Sequence, residues 1–144
     1  MRSAPAVERA PRAAELPFPE VAAFARAGAV ALLPVGSTEA HGPHLPLDTD
    51  VLIAEGVCDR LVPELAARGV RSLVFPPLTY GVTEFARPFA GTVSLGAEAL
   101  KAYATGVVRG ILEHGFDKVV LVNHHLEPAH FTALHEAVFA LRSE

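Results

Sequence analysis

Two short polar segments contain the side chains whose types and spacing could do chemistry. The first begins at Gly36 and reads GSTEAHGPHLPLDTD, and the second begins at Asn123 and reads NHHLE. In an extended chain, alternate side chains point to the same side. Each segment therefore presents an acid and an imidazole on one side: Glu39 with His41, and Glu127 with His125.

The charge of these segments points to a bound cation. Neither segment contains a Lys or an Arg, and carboxylates gathered in a partly dry pocket repel one another unless a cation joins them. Carboxylate and imidazole ligands suit Zn²⁺ or Mn²⁺. The candidate ligands are Glu39, His41, Asp50 or its neighbour Asp48, His125 and Glu127. Because one catalytic ion with an open position needs fewer ligands, we expect two divalent metal ions that share one carboxylate.

Three short apolar runs are typical of buried strands in a parallel sheet. They cover residues 29–35, 72–75 and 119–122. Helical spacing follows each run, at residues 50–67, 100–112 and 128–141. This alternation predicts an α/β fold with a parallel, or mostly parallel, sheet flanked by helices. In such sheets, ligands bind beyond the carboxyl ends of the strands, and both polar segments follow a predicted strand.

The candidate ligands also have purely structural interpretations. Asp48 or Asp50 could cap the helix that follows, and His125 with Glu127 could be a helix-start pair bonded to the backbone. The residues expected to support the ligands are His44, Asn123 and His124, with turn packing as the alternative for the two histidines.

Several other residues are expected to have structural roles only. Pro63 should kink the first predicted helix and Gly69 should end it, while His114 should lie near the carboxyl end of the second helix. Four further residues are assigned either to the surface or to the core. The predicted surface residues are His130 and His135, and the predicted core residues are Leu126 and the inert thiol Cys58.

Composition excludes several classes of function. The chain has 144 residues, of which 51% are hydrophobic and 19% charged, values that fit one globular domain. Its net charge of −4 offers no basic field for nucleic acid or an anionic membrane. Neither a membrane span nor a secretory signal is evident, and the single cysteine precludes an internal disulfide. We therefore expect a cytoplasmic protein in which a loose tail, residues 1–18, precedes a domain at residues 19–144.

The longest of the polar motifs resembles a known protein family. The run from Pro34 to Asp50 is similar to the N-terminal signature of creatininase-family proteins, and residues 123–127 resemble the second metal motif of that family. Residues 80–84 and 89–94 are similar to its central pocket segment. The resemblance covers residues 18–139 and implies a three-layer creatininase-like sandwich.

The resemblance also implies a function and a distribution of ligands. Asp50 would bridge two divalent ions, Zn and/or Mn, with Glu39 and His125 at one ion and His41 and Glu127 at the other. The implied reaction is metal-dependent hydrolysis of a C–N bond in a cyclic or linear amide by a metal-activated water, with Glu127 as a catalytic residue. The substrate-binding residues that the resemblance implies are Ser37, Tyr80, Glu84, Gly91 and Thr92.

Some features depart from the family pattern. Phe85 and Ala90 stand where many relatives have His and Pro, and His124 replaces a usual Gly. Family members are longer, so we expect the fold to be truncated at the carboxyl end, with a further catalytic His beyond Glu144. A small-molecule amide substrate and a homo-oligomer are implied. The alternative is a non-catalytic fragment that binds metal or assembles with other subunits.

Overall fold

The computed structural model describes residues 9–142. Three parallel strands form its sheet in the order β2-β1-β3. The strands are β1 (Val30–Val35), β2 (Ser72–Val74) and β3 (Val119–Asn123). The predicted parallel sheet is confirmed, and each strand lies within one residue of its predicted bounds.

Four helices flank the sheet. They are α1 (Phe18–Arg26), α2 (Thr49–Ala66), α3 (Ala97–Glu113) and α4 (Pro128–Arg142). The helix α1 was not predicted from the sequence. The helix α2 continues through Pro63, which lies on its exposed face, where solvent can satisfy the carbonyl that loses its donor. Beyond that helix, Gly69 adopts φ of 76° and ends the turn, as predicted.

The side chains of β1 divide the core into two apolar layers. Leu33 and Val35 pack in one cluster with buried residues of α3 and α4. Leu32 points to the opposite face, where it packs with Cys58 of α2 and Val74 of β2. The helices therefore cover both faces of the sheet. Burial also raises the pKa of the Cys58 thiol to about 11, which keeps it protonated and unreactive.

The segment before α1 is packed on the domain, so the predicted loose tail was wrong for residues 10–16. The backbone N–H of Ala10 and Nη2 of Arg12 each donate to Oδ1 of Asp59 at 2.9 Å. Arg12 also forms a parallel bridge with Val74 of β2. An acid on α2 therefore anchors this segment, a contact that composition alone could not reveal. The first eight residues of the predicted tail lie outside the described range.

The strand β3 is less buried than its apolar sequence predicts. Val120 is 45% exposed, whereas a strand covered on both sides buries nearly all its side chains. The cause is position: among the described strands, β3 pairs with β1 alone and forms one edge of the sheet. None of the helices within residues 9–142 is long and apolar enough to cross a membrane.

The sheet brings the two polar segments to the same place. Val35 and Asn123, the last residues of β1 and β3, are direct partners in the ladder. The chain leaves β1 through Gly36, whose backbone touches the start of α2. A Cβ at Gly36 would lie 2.7 Å from the backbone nitrogen of Val51 and 2.9 Å from Cβ of Asp50. The close approach at Gly36 therefore sets the position of Asp50.

We expect Gly36→Ala to destabilise the protein by about 1–3 kcal/mol, because a methyl group there must push strand and helix apart. Gly56 on α2 is a matched control, since a Cβ there would meet nothing within 4 Å. Gly56→Ala should leave stability unchanged or raise it by up to about 1 kcal/mol. Urea unfolding measures both variants. Equal stability of the two would contradict close packing at Gly36.

Candidate metal centre

Four of the five predicted ligands converge at the carboxyl edge of the sheet. Glu39 and His41 follow β1, Asp50 lies in the first turn of α2, and His125 follows β3. We call these four residues the acid–imidazole cluster. One ligand atom from each of Glu39, His41 and Asp50 lies within 4.8 Å of the others.

The carboxylate of Asp50 lies between the two imidazoles. Its Oδ1 is 3.0 Å from Nε2 of His41, and its Oδ2 is 3.0 Å from Nδ1 of His125. Glu39 approaches the same two rings, with Oε1 3.2 Å from His125 Nδ1 and 3.6 Å from His41 Nε2. The other oxygen of Glu39, Oε2, accepts a hydrogen bond from the hydroxyl of Thr83. Both acids are therefore held against both imidazoles.

Backbone carbonyls orient the two imidazoles. Nδ1 of His41 lies 3.1 Å from the carbonyl oxygen of Glu39, and Nε2 of His125 lies 2.8 Å from that of Val82. A carbonyl can only accept, so each of these nitrogens carries the proton of the neutral ring. The remaining nitrogen of each ring then directs a lone pair toward the carboxylates. Histidines that bind metal ions are usually held in this way.

The donor set of the cluster fits a divalent cation. Asp50 is only 4% exposed, and its Oδ2 accepts no hydrogen bond while the facing Nδ1 of His125, 3.0 Å away, carries no proton. A buried oxygen without a hydrogen bond costs free energy. Carboxylate oxygens and imidazole nitrogens are the ligands that Zn²⁺ and Mn²⁺ accept. A cation between Asp50 and the imidazoles would satisfy this oxygen.

Charge coupling shifts the pKa values of Asp50 and His125 in opposite directions. Burial by itself would raise the pKa of Asp50, but His125 and His41 outweigh it and lower this pKa below 3.8. Burial would lower the pKa of His125, but Asp50, the Val82 carbonyl and Glu39 together raise it above 6.5. The metal-free cluster therefore favours a proton on His125, in the position that a cation would take.

The fifth predicted ligand, Glu127, is held on a different set of donors. Its Oε1 accepts a hydrogen bond from the backbone N–H of Glu84 at 3.1 Å, and its Oε2 accepts one from that of Phe85 at 3.4 Å. Glu127 is 8% exposed and lines the same cavity as the cluster. The structure therefore holds Glu127 on the cavity wall, by amides that stabilise its negative charge.

The cavity above the cluster has a volume of about 600 Å³. Its acidic floor contains Glu39 and Asp50, while Glu127 and several apolar side chains form much of its wall. The apolar wall residues include Ile53, Phe85, Phe89 and Leu126. Such a space could hold a small amide or the end of a peptide.

The residues predicted to bind substrate lie elsewhere in this structure. Among the described residues, those that line the cavity include none of Ser37, Tyr80, Glu84, Gly91 and Thr92. Ser37 is 0% exposed, and the substrate-binding role of these five residues stays a prediction.

Three of these residues shape the loop that carries the wall. The Glu84 carboxylate accepts hydrogen bonds from Ser94 and Arg87. Thr92 Oγ1 accepts one from the backbone N–H of Ala40, and a Cβ at Gly91 would lie 2.4 Å from Leu47. Their contacts fix the loop near Phe85 and Phe89, the aromatic residues that do reach the cavity.

The three predicted supporting residues differ in their surroundings. Asn123 brackets His125: its Nδ2 donates to the His125 carbonyl at 2.7 Å, and its Oδ1 accepts from the His125 N–H at 3.2 Å. His124 is exposed at the cavity wall. His44 is exposed in a turn, with its ring beside Gly42.

Two predictions near the second polar segment were wrong. Leu126, predicted in the core, is 76% exposed. The alternation itself is correct, since His125 and Glu127 are buried and their neighbours are exposed. The buried side is the polar side, because the interior at this point is the acid–imidazole cluster.

His130, predicted at the surface, is 0% exposed, whereas His135 is exposed as predicted. Burial and the nearby His125 lower the pKa of His130 to about 4, so it is neutral at ordinary pH. A signal in the sequence could have identified it. His130 begins a stripe with i, i+3, i+4, i+7 spacing whose other members, Ala133, Leu134 and Ala137, are all buried.

A family model described as creatinine amidohydrolase matches residues 14–144. The chain is 41% identical over 123 residues to the mycofactocin precursor peptide peptidase of Mycobacterium ulcerans (strain Agy99), covering 78% of this chain and 46% of that protein. It is 35% identical over 123 residues to the creatinine amidohydrolase of Pseudomonas putida, covering 81% of this chain and 45% of that protein. The chain thus spans about half the length of the curated relatives it matches.

Solved structures show the same fold. A crystal structure of creatinine amidohydrolase matches with a TM-score of 0.81 at 31% identity, covering 94% of this chain and 52% of that one. A manganese form of creatininase matches with a TM-score of 0.81 at 30% identity, covering 93% and 52%. A mutant creatininase of Zn–Zn type matches with a TM-score of 0.80 at 30% identity, covering 94% and 53%.

We expect cation binding to release protons and to weaken at lower pH. Because the pKa of His125 is raised above its ordinary value, Zn²⁺ or Mn²⁺ must displace a proton from this ring at a pH where an ordinary histidine is already neutral. Affinity should therefore fall as pH falls through this raised pKa, and the fall should begin above pH 6.5, the ordinary value for histidine. Calorimetry in buffers of different ionisation enthalpy measures the protons released. An affinity that does not change between pH 8 and about pH 6 would contradict the coupling.

Proposed function

Since the chain belongs to the creatininase family, we propose that it serves as a metal-dependent amidohydrolase that cleaves the C–N bond of a cyclic or linear amide. The observation that carries this proposal is the convergence of Glu39, His41, Asp50 and His125, with a buried oxygen of Asp50 that faces His125 and accepts no other hydrogen bond. Without a cation, burying these charged groups together costs free energy; with one, the same groups can hold a catalytic metal ion.

Two divalent ions, Zn and/or Mn, are proposed to occupy the centre, with Asp50 as the shared ligand. The two Asp50 oxygens face different imidazoles, at 3.0 Å each, and this supports a bridging role. Glu39 and His125 would complete one site. His41 and Glu127 would complete the other, with Glu127 drawn from the cavity wall.

When bound, such ions polarise an amide carbonyl and lower the pKa of water to near neutrality. The side chains of this chain would do the rest. Asp50 and Glu39 hold negative charge at the cavity floor, and Phe85 and Phe89 offer apolar surface for the part of the substrate next to the amide. We propose that the Glu127 carboxylate, which lines the cavity and accepts from two backbone amides, takes a proton from the attacking water and passes it to the leaving nitrogen.

The substrate is proposed only as a class. The relatives include proteins named for a small ring, creatinine, and for a precursor peptide. The aromatic wall residues Phe85 and Phe89 are 79% and 61% exposed, and an apolar group next to the scissile amide could cover them. Homo-oligomeric assembly and a cytoplasmic location stay predictions.

The second candidate is a chain that binds metal or assembles with other subunits without catalysis by itself. The half-exposed edge strand β3 supports this candidate, since an unpaired edge invites a partner. The purified chain, loaded with Zn²⁺ or Mn²⁺, should be assayed against creatinine, a lactam, a formamide and short peptides. Hydrolysis of any of them supports the enzyme, whereas metal binding with no turnover supports the second candidate.

We expect Asp50→Ala to abolish stoichiometric metal binding and any amide hydrolysis, because it removes the shared ligand. Asp48→Ala is the matched control: Asp48 is an exposed acid two residues earlier and makes no capping hydrogen bond. Elemental analysis after dialysis should find up to two ions per wild-type chain and per Asp48→Ala chain.

Circular dichroism should show that both variants are folded. Undiminished metal content in Asp50→Ala would refute the assignment, even if the chain had no measurable turnover.

A further inference from the structure

We propose that His130 is a positioning residue that fixes the ring orientation of His125 through Val82 and Asn123. The inference rests on the proposed function, in which His125 binds metal. His130 lies in the first turn of α4, outside both polar motifs, and is completely buried.

The structure joins His130 to both residues that hold His125. Its Nδ1 accepts a hydrogen bond from the backbone N–H of Val82 at 3.3 Å, and its Nε2 lies 3.2 Å from Oδ1 of Asn123. The carbonyl of Val82 accepts from Nε2 of His125 at 2.8 Å. Asn123 makes two hydrogen bonds with the backbone of His125. The four residues therefore form a closed ring of hydrogen bonds.

The partners determine the direction of every hydrogen bond in this ring. The Val82 N–H can only donate, so His130 Nδ1 must accept. His130 Nε2 must then carry the proton and donate to Asn123 Oδ1, which leaves Nδ2 of Asn123 to donate to the His125 carbonyl. The Val82 carbonyl can only accept, so it favours the His125 tautomer whose Nδ1 is directed at Asp50, and the hydrogen bonds of His130 hold Val82 and Asn123 where they orient that ring.

The packing around His130 leaves little room for another arrangement. Its ring meets that of His125 edge to face, with centroids 4.6 Å apart and planes at 85°. On the other side, a Cβ at Gly81 would lie 2.4 Å from His130 Nδ1. The chain thus has a glycine where the ring of His130 needs space, and His130 can act on His125 by contact as well as through hydrogen bonds.

Two substitutions separate positioning from simple filling of the core. His130→Leu introduces an apolar side chain of similar bulk and removes both hydrogen bonds. His130→Gln keeps an acceptor for Val82 and a donor for Asn123. The matched control is His135→Leu, because His135 is an exposed histidine on the same helix.

The first measurement is Zn²⁺ affinity, by competition with a chromophoric chelator at a temperature where every variant is folded. Loss of a residue that orients a metal ligand typically weakens affinity by about 10- to 100-fold. We expect a loss of at least about tenfold for His130→Leu, recovery to within about threefold of wild type for His130→Gln, and no change for His135→Leu. Wild-type affinity in His130→Leu, or no recovery in His130→Gln, would overturn the inference.

The second measurement uses the wild-type chain without metal, so it does not depend on whether any variant folds. Nitrogen NMR of the wild-type chain should detect coupling across the hydrogen bond from the Val82 N–H to His130 Nδ1. At a pH where His125 is neutral, its proton should be on Nε2. Absence of this coupling, or a mixture of His125 tautomers, would overturn the inference. A wild-type chain that shows both NMR features but binds no Zn²⁺ would refute the proposed function instead.

Discussion

The structure depends on the placement of two acids and two imidazoles at the floor of one cavity, where two of the four are almost completely buried. Asp50 and His125 are both at least nine-tenths buried, and their charges are coupled strongly enough to oppose the effect of burial on each pKa. Such a group is tolerated because each member is held from outside the cluster. Thr83 holds Glu39, the backbone holds both rings, and the first turn of α2 holds Asp50.

The fold was largely predictable because its signals are local. A parallel strand between helices must be apolar on both faces, and β1 meets this condition over its whole length. The stripe that predicted α3 depends only on its own residues. Prediction failed where burial depends on a distant partner: Arg12 is covered because Asp59 on α2 binds it. The edge strand β3 is the opposite case, an apolar sequence that the described residues leave half covered.

The site was predictable as far as side chains carry the chemistry. Glu39, His41 and His125 could be identified because charged and imidazole groups are rare next to apolar strands, whereas the choice of Asp50 over Asp48 needed the family resemblance. The rest depends on main-chain atoms. The carbonyl of Val82 and the amides of Glu84 and Phe85 can belong to any residue, so the sequence gives no sign of them. Leu126 was wrongly predicted to lie in the core, because the interior next to the second segment is formed by polar groups.

The pairing of Val35 with Asn123 has a consequence for how the chain reaches its native state. A slip of β3 by one residue would shift its end by about 3.3 Å and turn every side chain to the opposite face. That displacement exceeds the length of a zinc–nitrogen bond, about 2.0–2.1 Å. A slipped chain would therefore leave His125 outside the reach of Asp50, and any ion held by both residues would favour the correct alignment by mass action. Strand alignment and ion capture would then be a single equilibrium.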